Sequence, residues 1–257
     1  MKVSIITVCF NSENTIEDTI ISVLSQDYNN LEYIIIDGGS NDKTLSIINK
    51  YKERIHTFIS ETDNGLYDAM NKGIKLSTGD LIGILNSDDV FFNISTISEI
   101  VHFHNKNNID ASIGNVVQYF KNRNMKRFYS SKDWNLNKLI CGIMPPHPSI
   151  FFKKHLFNNY SSYNCNFKIA SDYEIIIRYF IKNKITWKYS GITTTLMLYG
   201  GLSSSGIRSY VIITNEILNA FKLNSVKCNR FRIYFRGFSK MFEFLKVYTF
   251  INILLKL

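Results

Sequence analysis

Leu81-Ile82-Gly83-Ile84-Leu85-Asn86-Ser87-Asp88-Asp89 is an apolar run of strand length that stops at two carboxylates. A buried strand ending in acids puts oxygen ligands where a hard cation, Mg²⁺ or Mn²⁺, can sit against a diphosphate. The same pattern also fits an ordinary turn or helix cap after a strand. The chain on either side bears on which reading holds.

Upstream, strand and helix patterns alternate. Val3 to Phe10 is continuous and apolar, and it is followed by Asn11-Ser12-Glu13-Asn14 instead of a small-residue cleavage site. It therefore reads as a first buried strand and not as a leader. Asn14-Thr15-Ile16-Glu17 has the form of a capping box, with Ile16, Ile20, Val23 and Leu24 on one helical face. Leu31–Asp37 is a second strand, broken by Gly38-Gly39-Ser40. A helix over about Asp42–Tyr51, a short strand at His56–Ser60 and a helix at Leu66–Leu76 precede the opening strand. This alternation predicts an α/β chain with a mostly parallel, Rossmann-like sheet and helices on both faces. Such sheets bind ligands at the carboxyl ends of their strands, where Asn11, Asp37 and Asp88 then fall together.

Further along, strands are expected at Ser112–Phe120, Ser149–Phe152 and Thr193–Tyr199, with one helix at Asp172–Asn183. His102 and His104 fall in a helical stretch and read as solvated or partly packed. The composition is that of a folded globule: 45% hydrophobic, with 3 prolines. The 4 cysteines are scattered without a CxxC pair, which excludes a zinc signature and favours a reducing compartment. The net charge of +9 is concentrated after Ser205, where nine Lys/Arg face Glu216 and Glu243. Residues 1–205 thus form one expected unit and the basic tail, 206–257, another.

Five ordered segments resemble family 2 glycosyltransferases of the GT-A fold. They are Ser4–Asn11, Ser22–Gln26, Ile35–Asp42, Asp63–Gly73 and Gly79–Asp89. The resemblance covers the first half well, the middle loosely and the tail hardly at all. It implies an inverting enzyme that moves a sugar from a nucleotide-diphosphate donor, commonly UDP-linked, to a glycan or lipid-linked acceptor. Bacterial polysaccharide synthesis (O-antigen or capsule) is the expected setting. Thr7 and Asn11 correspond to the nucleotide-pocket wall, Asp37 to the base-contacting acid, and Asp63 to the loop beside base and ribose. Asp88 matches the metal-binding acid of the DxD-like motif, which implies a divalent cofactor, Mn²⁺ or Mg²⁺. Ser87 and Asp89 lie beside it near the sugar. Asn86 stands where an aspartate is common, and this lowers the local charge. Asn71 and Lys72, with Tyr67 and Asp68, are candidates to shape the donor pocket.

The family's general base is a carboxylate opening a helix, and Ser171-Asp172-Tyr173-Glu174 fits that place. Asp172 is the expected base, taking a proton from the acceptor hydroxyl, with Glu174 as fallback. Read without the family, Ser171 or Asp172 is simply a helix cap. His147, between Pro146 and Pro148, is either an acceptor or diphosphate contact or a loop histidine. Gly200–Gly206 is either a lid or a connector.

In the tail, Arg232, Arg236, Ser239, Lys240, Glu243 and Lys246 share one helical arc opposite Phe231, Ile233, Tyr234, Phe238, Met241, Phe242 and Leu245. That pattern suits a helix lying on an anionic membrane, or equally one packed on the domain. The first reading makes the protein cytoplasmic and peripheral on the inner face of the plasma membrane. No nucleic-acid module is recognisable. Two rivals stand beside the transferase: a nucleotidyltransferase of similar sheet, which lacks its Gly- and Lys-rich loop here, and a non-catalytic nucleotide-sugar-binding module.

Overall fold

A computed structural model describes residues 1–120, 125–198, 200 and 206–236. Its strands are β1 (Val3–Cys9), β2 (Leu31–Asp37), β3 (Thr57–Ser60), β4 (Leu81–Ile84), β5 (Asp89–Phe91), β6 (Ala111–Phe120), β7 (Met125–Tyr129), β8 (Ile150–Lys153) and β9 (Trp187–Leu198). The helices are α1 (Ile16–Leu24), α2 (Thr44–Asn49), α3 (Leu66–Leu76), α4 (Thr96–Asn107), α5 (Leu136–Leu139), α6 (His155–Tyr160), α7 (Ser171–Ile176) and α8 (Ile207–Leu223). One sheet runs β3-β2-β1-β4-β8-β6-β9-β5, with β7 paired to β6. Its first half is wholly parallel. From β8 onward it is mixed, because β8 runs antiparallel to both β4 and β6. The chain is thus a mixed α/β sheet with its parallel half first, as the alternation of patterns predicts.

Alternation along the parallel strands sorts side chains to two faces. Ile34 and Ile36 join Ile6 and Val8 under α3, α7 and α8, with Met70, Ile74, Tyr173, Ile176, Ile217 and Phe221. Tyr33 and Ile35 join Val3 and Ile5 under α1, α2 and α4, with Ile16, Ile20, Ile48, Ile97 and Ile100. Both faces are covered, which is why these strands read as continuous apolar runs. Helix α3 lies so close to β1 that a side-chain carbon at Gly73 would collide with Ile6.

Several local expectations need correction. The capping box does not form: the backbone N–H groups of Thr15 and Ile16 both donate to the Ser12 carbonyl, at 3.1 and 3.0 Å. Glu17 is drawn away to Lys50 Nζ and the Tyr51 hydroxyl, at 3.2 and 3.0 Å. His104 is buried, its Nε2 paired with Ser112 Oγ at 2.9 Å, and burial lowers its pKa to about 4. The helix expected to run to Asn183 turns π-helical over Ile177–Lys182. Among the described residues, the part after 205 shares a core with the part before it. Ile217, Ala220, Phe221 and Ile233 belong to the same core as α3 and α7.

The first turns of the tail pack against the domain with an unexpected arc inward. Ile233 and Arg236 are buried, and Phe231, Tyr234 and Phe235 are exposed. Arg236 donates to Thr214 Oγ1 at 2.9 Å and lies over the Tyr210 ring at 4.6 Å. The rest of that expected amphipathic helix, from residue 237, lies outside the described residues, as do 201–205 of the expected lid and Tyr199. Among the described residues no helix is long and apolar enough to cross a membrane.

Candidate active site

The carboxyl ends of β1, β2 and β4 are laced together by short polar contacts. Asn11 takes a positive φ of 48° just past β1, which turns the chain toward the loop after β2. Its N–H donates to Ser40 Oγ at 2.8 Å, and its Oδ1 accepts from the Asn41 N–H at 3.0 Å. Ser12 Oγ meets Ser87 Oγ at 2.9 Å and joins the β1 end to the run after β4. Gly38 lets Asp63 come close: a Cβ there would lie 2.5 Å from Asp63 Oδ2. The β2 and β3 loops therefore form one wall, with Asp63 half-buried in it.

Two residues expected in that wall lie behind it. Thr7 is fully buried and accepts the Tyr33 hydroxyl at 3.2 Å, so it braces the sheet. Asp37 is also fully buried. Its Oδ2 accepts from the N–H groups of Gly39 and Ser40 at 3.1 and 3.0 Å and from Ser60 Oγ at 2.7 Å. The carboxylate thus sets the shape of the Gly38–Ser40 turn from beneath. Beside it the Cys9 thiol is pushed upward in pKa, first by burial and then by Asp37.

After β4, Asn86 opens a turn in which the Asp89 N–H donates to the Asn86 carbonyl at 3.1 Å. Asp89 is buried and its Oδ1 accepts the Leu198 N–H at 3.3 Å, which ties β9 to this turn. Burial, then the neighbouring Asp88, holds its carboxyl well above the usual range. Asp88 is half-buried, and burial raises its pKa too. No side chain among the described residues donates to the Asp88 carboxylate. Asn86 Oδ1 is buried and has no hydrogen-bond partner. Asn86 Oδ1, without a partner, and the Asp88 carboxylate, met only by a backbone N–H, are oxygen donors of the kind a hard divalent cation takes. Among the described residues, though, no cluster of three or more His, Cys, Asp or Glu could hold a metal unaided.

A second group of residues centres on Asp172. It is half-buried at the start of α7, and no cation pairs with it among the described residues. Burial raises its pKa from 3.8 to about 6, against the lowering effect of the Tyr173 N–H and the Tyr67 hydroxyl. Tyr67 stacks on Tyr163 with ring centroids 5.7 Å apart, and His147 Nε2 meets the Tyr163 hydroxyl at 2.6 Å. Burial lowers the pKa of His147 to about 4, so it is neutral at physiological pH. Asn71 clamps the Tyr163 backbone in both directions, donating to its carbonyl at 2.8 Å and accepting its N–H at 2.9 Å. Lys72 pairs with Glu61 at 2.8 Å and Asp68 at 3.4 Å, and so holds the loop before α3.

Neither Ser171 nor Asp172 is the N-cap, a position taken by Ala170. The fallback acid, Glu174, is fully engaged. Arg178 donates to both of its oxygens, at 3.0 and 2.8 Å, and Asn224 Nδ2 to Oε1 at 2.9 Å. Sequence reasoning missed Ser12, Ser60 and Tyr163, whose roles arise only from contacts across the fold. A cleft of about 670 Å³, lined by Leu218, Phe221, Val226, Arg230 and Tyr234, shares no residue with either group.

The model of the family described as glycosyl transferase family 2 matches residues 4–199. The chain is 27% identical over 209 residues to a PGL/p-HBAD biosynthesis glycosyltransferase of Mycobacterium bovis, covering 79% of this chain and 77% of that one. Its backbone is similar to the crystal structure of S. aureus TarS 1-349 in complex with UDP-GlcNAc, with a TM-score of 0.71 and 18% identity over 95% of this chain and 73% of that one. It is also similar to the mannosyltransferase PcManGT from Pyrobaculum calidifontis in complex with GDP-Man and Mn²⁺. There the TM-score is 0.65 and the identity 17%, over 91% of this chain and 68% of that one.

Proposed function

This chain belongs to glycosyl transferase family 2 and is a glycosyltransferase with the GT-A fold, and from that premise we propose that it transfers a sugar from a UDP-linked donor to a glycan or lipid-linked glycan hydroxyl with inversion. The observation that carries the reading is Asp172: a half-buried carboxylate without a cation, with a pKa of about 6. Such a group is ionised at neutral pH yet basic enough to accept a proton in a transition state. The nucleotide lies along the wall made by Asn11, Asp63 and the turn that Asp37 shapes. The sugar faces Ser87, Asn86 and Asp88.

Asp172 takes the proton from the acceptor hydroxyl as that oxygen attacks the anomeric carbon. The bond from that carbon to the diphosphate oxygen breaks on the opposite face, and its electron pair leaves with UDP. Asp88 and Asn86 Oδ1 would hold a divalent ion, which neutralises diphosphate charge when bound. Tyr67 and Tyr163 keep Asp172 in place, and His147 orients Tyr163.

The setting we infer is bacterial surface-polysaccharide synthesis at the inner face of the plasma membrane. Phe231, Tyr234 and Phe235 are exposed beside Arg230 and Arg232, which supports contact with an anionic bilayer. If so, the wild type co-sediments with phosphatidylglycerol vesicles and Phe231→Ser/Phe235→Ser does not; undiminished binding by the variant would take these rings out of the contact, and no binding by the wild type would remove the membrane reading.

The donor is tested with a panel of UDP-, GDP- and dTDP-sugars, by thermal stabilisation and donor hydrolysis with Mn²⁺. A UDP-sugar should stabilise most, because ligand binding raises apparent stability. Preference for a GDP- or dTDP-sugar would overturn the donor assignment.

A further inference from the structure

Helix α8 lies beyond residues 4–199, the part matched by the family, yet one of its side chains reaches the loop that delivers Asp172. Glu216 Oε1 accepts the Lys168 N–H at 2.7 Å, and its Oε2 accepts those of Ile169 and Ala170 at 3.0 and 2.8 Å. Three consecutive backbone donors on one carboxylate is a saturated arrangement, and charge-assisted bonds of this length are the strong kind. The helix is fixed behind it by the buried Ile217, Ala220 and Phe221, with Phe221 edge-on to Tyr173 at 6.0 Å. The loop so held carries the Ile169 carbonyl, which accepts the Tyr67 hydroxyl at 2.5 Å. Asp172 lies two residues past the last bonded N–H, that of Ala170.

We propose that Glu216 is a positioning residue for Asp172: it anchors residues 168–170 so that the carboxylate and the Tyr67 hydroxyl meet in one fixed geometry. The proposal deepens the base reading given above and rests on it for its effect on turnover. Its geometric part does not depend on that reading.

An alternative account is that Glu216 only adds stability by satisfying three loop donors. The two accounts differ electrostatically. Asp172 is faced by Tyr67 from α3, by Tyr163 from the preceding loop and by Glu216 from α8. Burial keeps both phenols neutral at ordinary pH. Glu216 is thus the charged member, and its negative charge raises the Asp172 pKa. Glu216→Gln removes the charge and replaces one accepting oxygen by an NH₂ group that opposes the backbone donors. The loop loosens and Asp172 gains water; relief of burial, the largest cause of its raised pKa, and loss of the Glu216 charge both lower the midpoint and outweigh loss of the Tyr67 contact, which acts the other way.

The test is a ¹³C carboxyl NMR titration of Asp172 in the full chain, assigned with Asp172→Asn and run without any ligand. The midpoint should fall below about 6 in Glu216→Gln. Glu216→Asp, which keeps the charge, should recover part of the shift and stands in if Glu216→Gln folds poorly. In parallel, hydrolysis of the best donor from the sugar panel should show kcat reduced by about 10- to 100-fold with KM little changed. A folded Glu216→Gln with an unmoved Asp172 midpoint overturns the proposal. Wild-type turnover in Asp172→Asn would overturn the base reading while leaving the titration result to decide the role of Glu216.

Discussion

The Tyr67 hydroxyl oxygen stands 3.5 Å from Asp172 Oδ1 while bonding the Ile169 carbonyl at 2.5 Å, so one phenol joins α3 to both the proposed base and the loop ahead of it. Tyr67→Phe removes a group that lowers the Asp172 pKa, and the acidic limb of the turnover profile should move up in pH. The Ile169 carbonyl is left unpaired, at a cost of about 1–3 kcal/mol. A urea melt and a pH–kcat profile check both parts; an unmoved limb would separate Tyr67 from the base.

Wild-type turnover should fall as pH drops through about 6, because protonated Asp172 cannot accept the acceptor's proton. Asp172→Asn should lose roughly 10²–10⁴-fold in kcat while still binding UDP. Calorimetric titration with UDP distinguishes a lost base from a lost fold.

Gly38→Ala should weaken UDP binding several-fold with almost no change in melting temperature. The clash falls on Asp63 Oδ2, the movable end of a side chain, so the fold survives and Asp63 is displaced. Unchanged affinity would take Asp63 out of the nucleotide wall.

Asp88→Ala should abolish the gain in UDP affinity that Mn²⁺ gives the wild type, leaving the two proteins alike in EDTA. Because burial disfavours the Asp88 carboxylate, its removal alone should not destabilise the metal-free protein. Equal affinities with Mn²⁺ present would place the cation elsewhere.

Arg178→Ala should be the most disruptive of these changes, at about 3–5 kcal/mol, because it leaves Glu174 buried without its partner. It also strips donors from the carbonyls of Tyr160, Ser161 and Ser162. Denaturant unfolding measures it; a loss under 1 kcal/mol would mean that Glu174 is neutralised some other way.

What the sequence made legible was local. Leu31–Asp37 and Leu66–Leu76 have the bounds expected of them, since each has a pattern of its own and a sharp stop. Strand β5 has three residues and exists through its pairing with β9, so no local pattern announces it. Motifs singled out Asp88 and Asp172 as candidates, yet periodicity could not reveal that Asp37 and Thr7 are fully buried. Asp37 ends its buried strand and Thr7 lies two residues before the end of its own, and exposure there depends on the loops folded over them. Arg236 shows the same limit: a helical projection identifies two arcs but not which one meets Tyr210 and Thr214. Glu216 gave no signal, because its three partners lie more than forty residues away in sequence.

The docking of α8 onto α7 also bears on synthesis. Strands β1 to β4, with the wall that faces the donor, leave the ribosome well before Ile207 to Leu223 are made. Residues 168–170 lack their carboxylate partner until that last described long helix arrives. On the proposed reading, a nascent chain can therefore shape the donor wall before it can hold Asp172 in register. Competence to spend an activated sugar then waits until α8 has been made and docked.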